Sequence, residues 1–398
     1  MKKTIVILLV AAALGVSAAA SRTQGRNDLG ARIKRVENGL APTAAAPAAP
    51  GANIRDRMDA LKVPGASIAV INDFQVEWAR GYGVADAETK APVSVSTLFQ
   101  AASISKPVTA AAVLRLVRDG ELDLSVDVNT LLKSWKLPEN EFTARVKVTL
   151  KHLLSHTGGV TVHGFPGYAF PGPVPTLDMV LDGIKPANTP AIRVDQEPGR
   201  AFSYSGGGYE IVQRILLDVE GRPFPELMRD LVLSPIGMFD STFEQPLPAD
   251  KIRNAAAGHG AEGAPIPGKR HTYPEMAAAG LWTTPTDLAA FAIEIQKSVL
   301  GRSSKVLSRA MAEAMLTPVL QGYGLGLGID PIGGYFQHDG SNVGFTCFLY
   351  AGQRSGKGVV VMTNSDMGGP LFREILRSVA REYAWENFFT ADKAEAKK

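Results

Sequence analysis

Strand-like segments lie near both ends of this chain, and a long helical stretch separates them. Ser67 to Ile71 and Val76 to Tyr82 flank an Asn-Asp-Phe turn, a pattern that predicts a β-hairpin. The C-terminal part holds three further apolar runs between glycine-rich turns: Gly334 to His338, Phe345 to Tyr350 and Gly358 to Thr363. We therefore expect the two ends of the chain to join in one antiparallel sheet.

The sequence between these strands predicts helices and long loops, from about Ala110 to about Gln296. One helix begins at Thr284-Pro285-Thr286-Asp287, which offers a cap, a first-turn proline and an acidic residue. Pro370 to Trp385 predicts a closing amphipathic helix. The expected fold is α+β: one discontinuous antiparallel-sheet subdomain over about 54–107 and 300–390, with a helical subdomain inserted over about 108–299.

The N-terminus has the pattern of an export signal over residues 1–20. Lys2 and Lys3 precede an apolar stretch from Ile5 to Val16, and Ala18-Ala19-Ala20 offers a cleavage site. Residues 21–53 are expected to be an Ala/Pro-rich linker, with the folded domain starting near Ile54. The expected location is periplasmic or secreted, with no stable membrane span after cleavage; an uncleaved N-terminal anchor is the alternative.

The composition is that of an ordinary globular enzyme-sized chain. Its 398 residues are 45% hydrophobic and 20% charged, which is ample for a large core. A formal net charge of +3 gives no reason to expect nucleic-acid binding. The single cysteine, Cys347, lies in an apolar run, where a packing role is expected.

The most informative short motif is Ser103-Ile104-Ser105-Lys106. An apolar run follows it and stops at Asp119-Gly120, which predicts a buried helix. Pro107 is tolerated only near a first turn, so the helix should begin close to Ser103. Residues three apart share a helix face, which places the Lys106 amine near the Ser103 hydroxyl.

This spacing suits nucleophilic catalysis. A serine is a weak nucleophile until a base removes its proton. Burial and the helix dipole disfavour the charged form of a lysine at a helix N-terminus, and a neutral amine there can be that base. The motif is common by chance and does not establish catalysis alone.

Two later stretches add candidate groups. Glu197 to Tyr209 contains a Pro-Gly turn, Tyr204 and three glycines from Gly206 to Gly208. A tyrosine in such a place can pass a proton. Gln337 to Phe345 predicts a strand that ends at His338, followed by glycines that allow close approach to the backbone.

Other features keep two interpretations each. His152 and His156 have a spacing that can bind a metal, but the glutamate of H-E-x-x-H is absent, and packing at a helix end is the alternative. Gly164 to Pro175 is a proline-rich loop with three aromatic residues, either a surface connection or a lip over a substrate pocket.

Together and in this order, the three motifs resemble the serine beta-lactamase and penicillin-binding-protein superfamily, on the side of class C beta-lactamases, D,D-peptidases and esterases. Ser103 to Lys106 matches S-x-x-K, Tyr204 to Gly206 lies where that family has Y-x-N, and His338 to Gly340 lies where it has K-T-G or H-x-G. The resemblance runs from about Arg55 to about Ala384.

The resemblance implies a beta-lactamase/transpeptidase-like fold, an antiparallel sheet flanked by helices plus an all-helical subdomain, with the site in the cleft. It also implies roles for these residues. Ser103 would attack an ester or amide carbonyl, while Lys106 and Tyr204 share proton transfer. The backbone N–H groups of Ser103 and Ser341 would form an oxyanion hole. His338 would line the third wall of the cleft, where it would either aid protonation of the leaving group or hold a substrate carboxylate. No metal or organic cofactor is expected.

Two departures from the family pattern bear on substrate binding. Gly206 replaces an asparagine that contacts the acylamido group of substrates in relatives. His338 replaces a lysine, and the expected partial charge of a histidine at neutral pH would weaken the grip on a substrate carboxylate. With Gly340 beside it, this wall of the site would bind substrate mainly through its backbone.

The leading hypothesis is an exported serine hydrolase that acts through an acyl-enzyme on small esters or amides, a carboxylesterase or amidase. One alternative is a D,D-peptidase, D-aminopeptidase or weak beta-lactamase. A different class is a non-catalytic binding module that keeps the fold; the combination of serine, lysine, tyrosine and histidine argues against it.

Overall fold

The structure, a computed structural model, describes residues 28–41, 53–330, 332 and 334–389. The predicted export signal, residues 1–20, lies outside these residues, and so does the alternative prediction of an uncleaved anchor. In the described part, none of the helices combines the length and apolar character needed to cross a bilayer.

The strands of the described residues are β1 (Gly65–Asn72), β2 (Gln75–Gly83), β3 (Phe99–Gln100), β4 (Tyr168–Ala169), β5 (His271–Thr272), β6 (Trp282–Thr283), β7 (Gly328–Asp330), β8 (Tyr335–Asn342), β9 (Phe345–Gly352) and β10 (Gly358–Thr363). Six of them form the main sheet in the order β2-β1-β10-β9-β8-β7, with every pair antiparallel. The N-terminal hairpin thus joins the C-terminal strands through β1 and β10, and the predicted α+β fold is confirmed.

The helices are α1 (residues 28–37), α2 (Ile54–Ala60), α3 (Ser105–Arg118), α4 (Val128–Leu131), α5 (Glu141–Arg145), α6 (Leu150–Leu154), α7 (Leu177–Asp182), α8 (Gly206–Glu220), α9 (Phe224–Met228), α10 (Ala249–Ile252), α11 (Met276–Ala279), α12 (Pro285–Val299), α13 (Arg309–Leu316) and α14 (Gly368–Glu382). Helices α3 to α11 and their loops build a helical region beside the sheet. Both the cap that begins α12 at Thr284 and the amphipathic α14 were predicted from the sequence.

Two apolar cores lie on opposite faces of the sheet. Helix α14 packs on β9 and β10 over one face, and α12 packs on β1 and β10 over the other. The predicted end of the helical subdomain at residue 299 is therefore wrong for α12, which belongs to the sheet layer. Its apolar side, including Leu288, Phe291 and Ile295, is buried in the core on that face.

The linker prediction is wrong for residues 28–41. Helix α1 buries Ile33 and Val36 in the core beneath α14, and Leu40 follows them. Ser378 Oγ donates a hydrogen bond to Val36 O at 2.7 Å, which fixes the helix to α14. Burial of three apolar side chains stabilises this segment by several kcal/mol, on the order of 1.5–3 kcal/mol for each, so the folded unit includes residues before Ile54.

Strand β8 continues past the predicted end at His338. Its pairing with β9 extends to Asn342 opposite Phe345, across a turn in which Gly344 has φ +82°. The side chains of β8 alternate between buried and exposed up to Asn342. His338 and Gly340 are therefore inside a strand, and their positions are fixed by sheet pairing.

Candidate active site

Ser103 lies in a 3₁₀ turn, Ala102–Ile104, that leads directly into α3. Ala102 has φ +48°, a left-handed conformation that is uncommon for alanine. The Ser105 hydroxyl donates to Ala102 O at 2.6 Å and holds the turn closed. The turn presents the Ser103 side chain, which is half-buried, at the start of the buried helix.

Lys106 extends from the first turn of α3 toward Ser103. Its Nζ lies 3.0 Å from Ser103 Oγ and donates to Ala278 O at 3.0 Å. The lysine side chain is buried, with only 2% of its surface exposed. The contact expected from the i,i+3 spacing is therefore present, and a backbone carbonyl of α11 fixes the amine from the other side.

Tyr204 approaches the same amine from the start of α8. It immediately precedes Ser205, whose side chain caps that helix by accepting from Gly208 N. The Tyr204 ring centroid lies 5.0 Å from Lys106 Nζ. The structure thus brings Ser103, Lys106 and Tyr204, which are far apart in sequence, into one cluster.

His156 packs against the Tyr204 ring. The sequence did not identify it as a site residue. Their ring centroids are 4.2 Å apart, and His156 Nδ1 accepts a hydrogen bond from Ser205 N at 3.1 Å. Burial, together with nearby Lys106 and His338, lowers the pKa of His156 well below its ordinary value. This ring is a neutral packing and hydrogen-bonding group, in agreement with the helix-end interpretation.

His152 has a separate local role. Its Nδ1 accepts from Thr149 N while Thr149 Oγ1 accepts from His152 N, a reciprocal cap that begins α6. The two histidines therefore make different contacts. Among the residues that the structure describes, no cluster of three or more His, Cys, Asp or Glu side chains has a geometry suited to a metal ion.

The open edge of β8 faces the nucleophile turn. The register with β9 makes Asn342–Phe345 and Gly340–Cys347 the hydrogen-bonded pairs, so the N–H of Ser341 points away from β9. Strand β7 pairs with β8 only as far as Gln337, so it leaves this part of the edge uncovered.

Gly340 lies where β8 comes close to the backbone of the Ser103 turn. A Cβ atom at this position would lie 2.3 Å from Ala101 O and 2.6 Å from Cys347 Sγ. Only glycine fits this gap. Cys347 is buried, as predicted, and its thiol donates to Ala101 O at 2.9 Å.

His338 is buried beside Tyr204, with ring centroids 6.2 Å apart. Burial lowers the pKa of His338 to about 4, and nearby Lys106 acts in the same direction. The prediction that His338 carries a partial positive charge at neutral pH is therefore wrong, because burial disfavours the protonated ring.

Two buried carboxyl groups lie behind the lysine and were also missed from the sequence. Glu210 Oε1 accepts from Ala278 N at 3.2 Å, on the same short helix that binds Lys106. Burial and neighbouring Glu275 raise the pKa of Glu210 well above its ordinary value, and burial raises the pKa of Glu275 to about 7. The Glu210 hydrogen bond connects α8 and α11, and no local sequence pattern indicates either carboxyl group.

Gly206 is the first residue of α8 and lies against the ring of Phe165. Phe165 comes from the proline-rich loop that the sequence left as either a surface connection or a lip. Through Phe165, the loop therefore contacts Gly206, which takes the place of the asparagine of the Y-x-N motif.

Comparison with known proteins agrees with this arrangement. The family model described as Beta-lactamase matches residues 51–383. Penicillin-binding protein 4 of Amycolatopsis lactamdurans is 28% identical over 372 residues, covering 84% of this chain and 90% of that protein. Protein flp of Staphylococcus aureus (strain N315) is 27% identical over 323 residues, covering 76% of this chain; the match spans 60% of flp's length.

A solved structure is similar over most of the chain. The octameric penicillin-binding protein homologue from Pyrococcus abyssi aligns with a TM-score of 0.69 and 26% identity, covering 86% of this chain and 80% of that one. The matched regions contain the sheet, the helical region and all three motifs. The chain therefore belongs to the beta-lactamase family, whose members include the penicillin-binding-protein-like serine hydrolases.

Proposed function

We propose that this protein is a serine hydrolase with a carboxylesterase or amidase preference, acting on small acyl substrates through an acyl-enzyme. The observation that carries this preference is His338: it takes the place of the lysine in the K-T-G form of the family motif, and burial lowers its pKa to about 4. At neutral pH this position supplies no cation for a substrate carboxylate. Beta-lactams and D-alanyl peptides carry such a carboxylate, whereas simple esters do not.

In the proposed mechanism, the Ser103 hydroxyl passes its proton to Lys106, whose amine lies 3.0 Å away, and attacks the substrate carbonyl. The backbone N–H groups of Ser103 and Ser341 would stabilise the negative charge that develops on the carbonyl oxygen. Tyr204, whose ring faces the Lys106 amine, would give its phenolic proton to the leaving group and regain a proton from protonated Lys106. Water then hydrolyses the acyl-enzyme and restores Ser103.

Gly206 favours the same substrates. It offers no side-chain amide to a substrate acylamido group, so it removes a polar contact that could distinguish a peptide-like acyl group from a simple one. An activated ester requires only the nucleophile and the oxyanion donors, because its leaving group departs with little acid assistance.

A substrate panel tests this proposal. We expect p-nitrophenyl acetate and butyrate to have a higher kcat/KM than nitrocefin or a D-alanyl-D-alanine peptide, with all activity lost in Ser103→Ala. Nitrocefin or the peptide as the better substrate would overturn the ester preference and favour the beta-lactamase or D,D-peptidase alternative. Failure to turn over or to be labelled by any acylating reagent would favour the binding-module alternative.

We also propose that the protein is exported, on the basis of the N-terminal sequence pattern. Fractionation of cells that express the full chain tests this. The mature protein should appear in the periplasm or medium with residues 1–20 removed, whereas a full-length protein in the membrane fraction would indicate the anchor alternative.

A further inference from the structure

A short segment, residues 161–165, packs across the start of α8, which begins two residues after Tyr204. We refer to this segment as the strap. Gly206 N donates to His163 O at 3.2 Å, and Gly207 N donates to Val162 O at 2.9 Å. The His163 ring also bonds to the carbonyl oxygen of Tyr204. The strap is thus fixed by several hydrogen bonds to the residues that position the tyrosine.

The glycines of α8 allow the strap to lie this close. A Cβ atom on Gly207 would be 2.5 Å from Thr161 O, a collision with backbone. A Cβ atom on Gly206 would be 2.9 Å from Phe165 Cε2 and 3.4 Å from His163 O. Gly208 differs, because its nearest contact would be an ordinary 3.6 Å. Gly206 and Gly207 are therefore needed for the strap to pack against α8, whereas Gly208 is not.

The Phe165 ring occupies the space that a side chain at position 206 would take. Gly206 has no left-handed φ, so its backbone does not itself exclude other residues. The obstacle to an asparagine is the aromatic ring. Phe165 is half-buried, so part of the ring packs on the core and part is available for contact.

Building on the proposed hydrolase function, we infer that Phe165 determines specificity for the acyl group of the substrate. In place of an amide side chain, the exposed part of the Phe165 ring would offer an apolar aromatic surface beside Gly206, two residues after Tyr204. An aliphatic or aryl acyl chain packs on such a surface. An acylamido group there would leave its own N–H and C=O without partners, which costs free energy on burial.

The experiment compares two esters with the same leaving group: p-nitrophenyl butyrate and the p-nitrophenyl ester of N-acetylglycine. We expect the wild type to favour butyrate in kcat/KM. Phe165→Ala should shift the ratio at least tenfold toward the N-acetylglycine ester, and Phe165→Ala combined with Gly206→Asn should shift it further. The single variant Gly206→Asn, with the ring still present, should instead lose activity toward both esters.

Controls separate this role from general damage to the loop. Phe170→Ala removes an aromatic side chain of the same loop that is 69% exposed, and it should leave the ratio within twofold of wild type. Gly208→Ala, at the position with room for a methyl group, should do the same. If Phe165→Ala does not fold, as judged by circular dichroism, Phe165→Val keeps an apolar contact and should shift the ratio in the same direction.

The outcomes distinguish the two proposals. Ester hydrolysis that depends on Ser103, with a ratio unchanged within twofold in the Phe165 variants, would overturn the role of Phe165 and leave the proposed function intact. A wild type that hydrolyses neither ester would overturn the proposed function and, with it, the inference that rests on it.

Discussion

Replacing Glu275 by glutamine should make the protein more stable at neutral and alkaline pH. The carboxyl group is fully buried, and burial raises its pKa from 4.5 to about 7. An acid with a raised folded-state pKa binds more protons in the folded than in the unfolded protein between these two values. The free energy of unfolding therefore falls as the pH rises from 4.5 to 7, and the loss is complete above 7.

The size of the effect follows from the shift. One pKa unit corresponds to about 1.4 kcal/mol, so a change from 4.5 to about 7 predicts a loss of about 3 kcal/mol. Glutamine keeps the shape of the side chain but does not ionise, so Glu275→Gln should remove this loss. The free energy of unfolding of the variant should exceed that of wild type by about 3 kcal/mol more at pH 8 than at pH 4.5.

Urea denaturation at pH 4.5, 6, 7 and 8, followed by circular dichroism, measures this difference. Glu139→Gln is a suitable control, because Glu139 is 60% exposed and pairs with Lys147 at the surface. Its difference from wild type should stay small over this range. A gap between wild type and Glu275→Gln that does not change with pH would refute the reasoning from burial.

Three further predictions concern the site itself. Lys106→Ala and Tyr204→Phe should each lower the acylation rate roughly 10²–10⁴-fold. Because both residues act in one proton path, the double variant should be little worse than the poorer single variant. If the two losses multiply in stopped-flow measurements of acylation, a shared proton path is contradicted. Because burial lowers the pKa of His338 to about 4, its ring should stay neutral at neutral pH, and kcat/KM should show no inflection from this group between about pH 5 and 8. An inflection near pH 6.5 that disappears in His338→Gln would contradict the lowered pKa. Gly340→Ala places a methyl group 2.3 Å from a carbonyl oxygen of the nucleophile turn, so it should abolish most activity and cost about 1–3 kcal/mol in thermal or chemical unfolding. The matched change Gly369→Ala, where a Cβ meets open space, should leave both unchanged, and equal behaviour of the two variants would contradict the close approach.

The sequence predicted those parts of the molecule that depend on local patterns. The spacing of Ser103 and Lys106, with Pro107 close behind, was enough to place both groups on the first turns of one helix. Apolar runs between turns were enough to identify five of the six strands of the main sheet, whereas the short β7 was not predicted. Their antiparallel arrangement followed from strands at both ends with helices between them.

What the sequence did not reveal depends on contacts between distant residues. Glu210 and Glu275 are unremarkable in sequence, and their burial around α11 appears only when α8 packs against it. The contact of Phe165 with Gly206 joins a loop to a helix that begins some forty residues later.

Two site histidines illustrate the same limit. The charge of His338 depends on its burial in the folded structure. The position of His156 beneath the tyrosine is likewise set by tertiary packing.

The first helix was missed for a different reason. Ile33, Val36 and Leu40 have helical spacing, but charged residues surround them and the stretch reads as polar. Arg35 Nη2 lies 2.7 Å from Glu382 Oε1, and Arg32 Nη1 lies 3.0 Å from Glu77 Oε1. These ion pairs connect the helix to α14 and to β2, so the charged residues help to dock the segment.

Intact-mass spectrometry after incubation with a fluorophosphonate tests whether Ser103 is the nucleophile. The wild type should gain one adduct mass, which peptide mapping places on Ser103. Ser96→Ala, which removes an exposed hydroxyl elsewhere, should be labelled like wild type. Folded Ser103→Ala should remain unlabelled; an adduct of equal yield on that variant would contradict the assignment.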